Sequence, residues 1–221
     1  MTAWSRTGVV PVELTDDAAV PAPASGLMLG SGRGAPVALR LFRSQGTRLI
    51  VAGDPLPAQL LALRAASAGT PVHVITAVSA LWEQVVAHGP GHRVQQPGET
   101  RPAVVGAALV VHDHPTRSRA DVRPWQCRVD VRSGWSAADL GSFTAADLTV
   151  FGRVSSETSL RIAALYGLAP RATEAMTGLL PRGAALVRPG RIEYVELQLS
   201  PAEAQLLERA RRQLAATRIA P

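Results

Sequence analysis

The chain has 221 residues, and all 23 of its basic side chains are arginines because the sequence contains no lysine; asparagine is absent as well. The missing lysine excludes a Schiff-base lysine, a lysine general base and the lysine of a Walker-type phosphate loop. The formal net charge is +6 at pH 7. Acids interrupt the arginine run in residues 117–132, so the sequence predicts solvated arginine faces and no nucleic-acid partner.

The chain opens with a segment of strand character, residues 7–14. A stretch rich in proline and alanine follows at residues 15–25, and its composition predicts a mobile linker. Residues 26–30 and 36–42 then predict a β-hairpin that turns at glycine. We therefore expect residues 1–25 to hold a strand and a linker, and residues 26–221 to form a single α/β domain.

From Thr47 onward, short apolar strands alternate with helices. Strands are predicted at residues 48–53, 72–76, 104–111, 125–131 and 148–151, with a last hairpin at 184–187 and 192–199. Helices are predicted between them, and the capping box 200–203 begins a C-terminal helix. This order predicts a Rossmann-like α/β fold, with a mainly parallel sheet, flanking helices and added β-hairpins.

The single cysteine, Cys127, excludes an internal disulfide and a cysteine-based metal cluster. It lies in an alternating strand pattern, which predicts a half-buried side chain. The longest apolar stretch is residues 103–111, too short for a bilayer that needs about 20 residues, and no signal peptide pattern opens the chain. We expect a cytoplasmic protein with no direct membrane span, associated with membranes only through partners.

The first strand–turn–helix junction, residues 53–57, is the place where an α/β fold would bind a nucleotide. Neither G-x-G-x-x-G nor G-x-x-x-x-G-K-[ST] occurs there. Pro55 and Pro57 remove backbone donors, and Asp54 places a carboxylate at the helix N-terminus that an anion would need. The junction predicts a capped structural helix start rather than a phosphate cradle.

Polar residues also follow the third apolar strand, where a Walker B acid or a metal ligand could sit. His112, Asp113 and His114 occupy this position, but polar loop residues are the favoured interpretation, and no G-x-S-x-G nucleophile elbow occurs. The sequence therefore predicts no catalytic residue, cofactor or metal site. If the strand carboxyl ends do bind a ligand, the candidates are Asp54, Thr76, His112 and Asp113.

Tryptophans offer a different kind of candidate. Trp82 lies on the apolar face of a predicted helix and is expected in the core. Trp125 and Trp135 bracket the alternating strand, so they are candidate anchors of a protein interface, although core or edge packing is the favoured interpretation.

A pattern of hydrophobic spacing with a few Arg, Gly and Trp positions runs through residues 39–43, 47–53, 59–65 and 69–74 with Trp82, then 147–168 and the strand before 200–203. These segments resemble the soluble domain of EccE-like proteins of actinobacterial type VII (ESX) secretion systems. Lysine and asparagine have A-rich codons, so their absence also indicates a GC-rich genome, as in actinobacteria.

The resemblance implies a non-enzymatic assembly or accessory component of type VII protein transport. Such a component would act through protein partners, including membrane components of the secretion system. The alternative hypothesis is a Rossmann-like enzyme or nucleotide-binding protein with a non-standard site at the strand carboxyl ends. The oligomeric state stays open.

Overall fold

The computed structural model describes residues 26–87, 89–99, 105–114 and 122–219, with side chains as far as residue 212. The strand and linker predicted for residues 1–25 lie outside the described residues. Ten strands form one sheet: β1 (Leu27–Gly32), β2 (Ala35–Leu39), β3 (Thr47–Ala52), β4 (Val72–Thr76), β5 (Arg93–Gln95), β6 (Ala108–Asp113), β7 (Gln126–Arg132), β8 (Leu148–Phe151), β9 (Gly183–Arg188) and β10 (Arg191–Leu197).

The described helices connect or follow these strands. They are α1 (Leu56–Ser67), α2 (Ser79–Val86), α3 (Leu140–Phe143), α4 (Ser156–Tyr166), α5 (Pro170–Glu174) and α6 (Pro201–Ile219), with 3-10 turns at Ala137–Asp139 and Ala175–Gly178. Among the described helices, none is both long and apolar enough to cross a membrane.

The strand order across the sheet is β2-β1-β10-β9-β8-β3-β7-β6-β4-β5. The six strands from β8 to β5 pair in parallel, and the remaining pairs are antiparallel. The predicted fold class is therefore confirmed: a Rossmann-like, mainly parallel α/β sheet with flanking helices and added hairpins.

The two faces of the sheet carry different helices, and β3 shows how. Leu49 and Val51 belong to a core cluster with the buried side chains of α1, α2 and α6. Ile50 and Ala52 belong to a second cluster with α3 and α4. Successive side chains of a strand point to opposite faces, so a strand that is apolar at every position is buried on both sides.

Local sequence accounts for the ends of the main helices. The Asp54 carboxylate accepts a hydrogen bond from the Leu56 backbone N–H at 2.8 Å in the turn before α1, whereas the N-cap position itself is Pro55 and carries no side-chain cap, so the predicted side-chain cap is not formed. Ser200 and Glu203 form the predicted capping box of α6, because the Glu203 N–H donates to Ser200 Oγ at 3.2 Å and the Ser200 N–H donates to the Glu203 carboxylate at 2.7 Å.

Two expectations about β7 were wrong. Cys127 is fully buried rather than half-buried, and burial raises the pKa of its thiol well above the ordinary value. Arg128 belongs to the arginine run that was expected to be solvated, yet it is only 5% exposed. Its guanidinium donates twice to the fully buried Asp130 carboxylate, at 2.8 and 2.9 Å, so the acid in the run is an internal partner for the arginine.

Candidate functional site

A cleft with a volume of about 310 Å³ lies at the carboxyl ends of β3 and β8. These two strands are parallel neighbours. The chain leaves β3 into α1 on one face of the sheet and leaves β8 toward α4 on the other face. The crevice between strands whose helices diverge in this way is the position where open α/β sheets bind their ligands.

The loop from β3 to α1 forms the first side of the cleft. Gly53 has φ +103°, a conformation that other residues rarely adopt, and its N–H donates to the Arg132 carbonyl at 2.9 Å. Pro55 and Pro57 follow, so the loop lacks the run of free N–H groups that cradles a phosphate. Asp54 also lines the cleft, and its Oδ1 accepts from Arg211 Nη2 of α6 at 3.3 Å.

The chain after β8 forms the second side, with Gly152 and Arg153. Arg153 Nε donates to the Thr177 carbonyl at 2.9 Å, which fixes the plane of the guanidinium. The structure gives Arg153 no other hydrogen bond or ion pair among the described residues. Its two terminal nitrogens are therefore available to an anionic group, since an arginine fork binds carboxylates and phosphates in two parallel hydrogen bonds.

The third side is apolar and comes from the segment before β9. Leu179, Leu180 and Pro181 line the cleft, and Leu180 is 76% exposed. Leu56 and Pro57 of α1 add apolar surface from the first side. The arrangement can accept a ligand that has a flat apolar part and a negatively charged group, because it combines apolar walls with one exposed guanidinium.

The residues predicted from the sequence fall into separate places. Only Asp54 lines the cleft. Thr76 and Asp113 lie on β4 and β6, and Asp113 is separated from the β3 end by β7, a distance of about 10 Å at the usual strand spacing. The carboxylate of Asp113 accepts from the Trp82 indole N–H at 2.7 Å and lies 3.5 Å from the Thr76 hydroxyl.

Asp113 therefore ties β6 to α2, and Trp82 is in the core as predicted, with no exposed surface. His112 is buried, and its ring lies 5.5 Å from that of His114. His73 lies on β4, next to β6, and burial together with the charge of Arg93 lowers its pKa. Within the described part of the chain, no three His, Cys, Asp or Glu side chains lie close enough together to hold a metal ion.

The two interface candidates differ in their surroundings. Trp125 is 51% exposed and has φ +63°, and its N–H donates to the Arg43 carbonyl at 2.7 Å. Trp135 packs against Phe143 and Phe151, with ring centroids 5.6 and 5.4 Å apart. Trp125 stays a predicted contact residue, whereas Trp135 contributes to an aromatic cluster.

Sequence reasoning missed Arg153 and the apolar segment 179–181. A signal for Arg153 was present, since it directly follows an apolar strand and precedes the capping Ser155 of the next helix. The apolar segment carried no such signal. It directly precedes β9, and it lies at the cleft because β9 pairs antiparallel with β8.

Comparisons with known proteins bear on the fold. No family model matches the chain, and no curated protein matches it. Among solved structures, VirB4 of Thermoanaerobacter pseudethanolicus matches with a TM-score of 0.59 and 10% identity, over 83% of this chain and 99% of that one. The genome packaging NTPase B204 from Sulfolobus turreted icosahedral virus 2, solved in complex with AMP, matches with a TM-score of 0.43 and 10% identity, over 69% of this chain and 98% of that one.

The match to VirB4 corrects the family expectation. The resemblance to EccE-like proteins was wrong, because a solved structure that shares the fold is VirB4; at 10% identity this likeness shows the fold alone. Nothing in the comparisons supports the ESX system or an actinobacterial source. The hydrophobic spacing behind the resemblance is common to α/β sheets, so it identified the fold class and not the family.

Proposed function

We propose that this chain binds a nucleotide in the cleft between β3 and β8, with an arginine rather than a phosphate loop as the phosphate contact. The observation that carries the proposal is the position of the cleft between adjacent parallel strands whose helices leave to opposite faces. The fold shared with VirB4 supports it as a likeness of architecture.

The chemistry of the cleft also favours a nucleotide. A base presents a flat apolar surface, and the leucine and proline side chains at 56–57 and 179–181 present the matching wall. A phosphate needs charged donors, and Arg153 supplies them from the opposite side. Because the chain has no lysine, binding of this kind does not use the lysine-dependent chemistry of a Walker loop.

Calorimetric titration of the full chain tests the proposal. The ligands are ATP, ADP, AMP and inorganic phosphate, each with and without Mg²⁺. We expect a nucleotide to bind and free phosphate to bind more weakly, because phosphate lacks the apolar contact. Arg153→Gln should weaken nucleotide binding by about tenfold or more, the effect of losing charge-assisted hydrogen bonds.

Arg161→Gln is the matched control, since Arg161 is an exposed arginine of α4 whose one ion pair among the described residues is with Glu157, four residues away. It should leave the affinity unchanged. Absence of nucleotide binding at millimolar concentrations, by both calorimetry and thermal shift, would refute the proposed function.

A role as an assembly or accessory component through protein contacts is the second candidate, favoured by the exposed ring of Trp125. Its backbone is held in the left-handed region by the contact with Arg43, so the ring is presented at a fixed place. Sedimentation of the wild type and Trp125→Ser would test self-association through this ring. Equal masses for the two proteins would exclude it.

A further inference from the structure

Asp54 opposes an anionic ligand in the proposed cleft. Its carboxylate lines the cleft at the N-terminus of α1, where a negative ligand would gain from the helix dipole. A carboxylate at that place repels a phosphate, because two negative charges a few ångströms apart interact unfavourably even in water. The cleft can accept an anion more easily if another group neutralises this charge.

Arg211 is in position to neutralise it. Its Nη2 lies 3.3 Å from Asp54 Oδ1, and the two side chains are 43% and 49% exposed. Asp54 is itself held by the hydrogen bond from the Leu56 N–H. The pair is thus anchored at the acid, which lines the cleft, and both side chains are partly exposed to solvent.

The C-terminal helix places Arg211 there by a regular spacing. Glu203, Leu207 and Arg211 are four residues apart, so they share one face of α6. Glu203 pairs with Arg64 near the end of α1, Leu207 is buried, and Arg211 meets Asp54 just before the start of α1. Residues 203–211 of α6 therefore run antiparallel along α1, with one ion pair near each end of α1.

We propose that Arg211 is a positioning residue for anion binding: it neutralises Asp54 and so makes the cleft compatible with a phosphate group. This inference rests on the proposed function, since it concerns the same cleft. It assigns to α6 a part of the ligand site, although α6 lies far along the chain from β3 and β8.

A mutant cycle measured by calorimetry with the nucleotide that binds best tests this role. Arg211→Gln should weaken binding by about threefold to fivefold, the size expected of one exposed charge pair. Arg211→Lys should retain most of the affinity, because it keeps the charge. Asp54→Asn can keep the hydrogen bond from the Leu56 N–H, since an asparagine side-chain oxygen accepts in the same turn, and it should strengthen binding.

The double variant decides between compensation and direct contact. In the Asp54→Asn background, Arg211→Gln should have little effect, because no carboxylate is left to neutralise. Arg212→Gln removes the same charge from an exposed neighbour on the same helix, and it should match the wild type. Thermal melts of every variant confirm that the protein is folded.

Two results would overturn the inference while leaving the proposed function intact. The first is an unchanged nucleotide affinity in Arg211→Gln. The second is an equal loss of affinity on Arg211→Gln in the wild-type and Asp54→Asn backgrounds. If the wild type binds no nucleotide at all, the proposed function itself fails. The two failures are therefore distinguishable.

Discussion

Arg64 connects four parts of the fold, so its replacement by methionine should be among the most destabilising changes outside the apolar core. Its guanidinium donates to both Glu203 carboxylate oxygens, at 2.7 and 2.9 Å, to the Met28 carbonyl at 2.6 Å and to the Gln198 carbonyl. Methionine keeps much of the aliphatic length and the helix propensity, and it removes every one of these donors.

The magnitude follows from burial. The side chains of Arg64 and Glu203 are each 17% exposed, between a surface pair and a fully buried one. Surface pairs contribute about 0–1 kcal/mol, whereas breaking a buried pair costs about 3–5 kcal/mol. We expect Arg64→Met to lower the free energy of unfolding by about 3 kcal/mol, which lowers Tm by about 6–12 °C in a chain of this size.

Urea unfolding followed by circular dichroism measures this loss. A double-mutant cycle with Glu203→Gln isolates the ion pair, and its coupling energy should be about 1–2 kcal/mol. Arg161→Gln provides the control, because its pair with Glu157 is 55% and 75% exposed and should change stability by less than about 0.5 kcal/mol. A loss below about 1 kcal/mol for Arg64→Met would refute the reasoning.

The same pair predicts a pH dependence. The hydrogen bond from Arg64, reinforced by those from Ser200, lowers the pKa of Glu203 despite partial burial. A carboxyl whose folded pKa is depressed stabilises the protein above its unfolded pKa, and this stabilisation is lost as the pH falls through the folded pKa. Arg64→Met should therefore flatten the decline of stability over that acid range, and an unchanged slope would contradict the assignment.

Three further substitutions, the last with a control, test packing elsewhere in the fold. Gln59 is fully buried, and its side-chain amide has no hydrogen-bond partner among the described residues. Gln59→Met should therefore raise the free energy of unfolding, measured in urea, by about 1 kcal/mol. A lower free energy of unfolding would show that the amide does have a hydrogen-bond partner. Trp82→Phe removes the hydrogen bond to Asp113 and leaves a cavity, so it should lower the free energy of unfolding by about 2–3 kcal/mol in the same assay. A change within about 0.5 kcal/mol would show that the Trp82–Asp113 contact does not stabilise the fold. Gly30→Ala places a Cβ against a backbone carbonyl of β10, so it should lower the free energy of unfolding by more than about 3 kcal/mol or prevent folding. Gly141→Ala is the control: its Cβ meets no atom within 4 Å, so Tm should not change in thermal melts.

Much of the fold class could be predicted because strand and helix patterns are local. The apolar runs of β3, β4 and β8 are short and bounded by breakers, and each was found to within a few residues. Strand β6 was predicted to begin at residue 104 but begins at Ala108, since Gly106 adopts φ +85° and interrupts the apolar run. Strand β5 was missed because three residues carry no periodicity.

The site was less predictable than the fold. Asp54 was found because it lies between a strand and a helix, and both are recognised from neighbouring residues. Arg153 and residues 179–181 belong to other strand–loop units, and no local sequence pattern predicts that they line the same cleft as Asp54. The order of strands brings them together, and strand order depends on which apolar faces pack best across the whole sheet.

What the sequence determined by itself was a set of chemical limits and local structures. The absence of lysine excludes a Walker lysine whatever the fold. The turn at Asp54 and the capping box at Ser200 specify helix starts through contacts within three residues. Only the tertiary structure decided the partners of the arginines. The side chain of Arg64 contacts residues up to 139 positions away, and Arg211 reaches Asp54 across 157 positions. Whether an arginine lies in solvent, in an ion pair or at the mouth of a cleft depends on the packing of distant elements, since its long side chain can satisfy any of these environments.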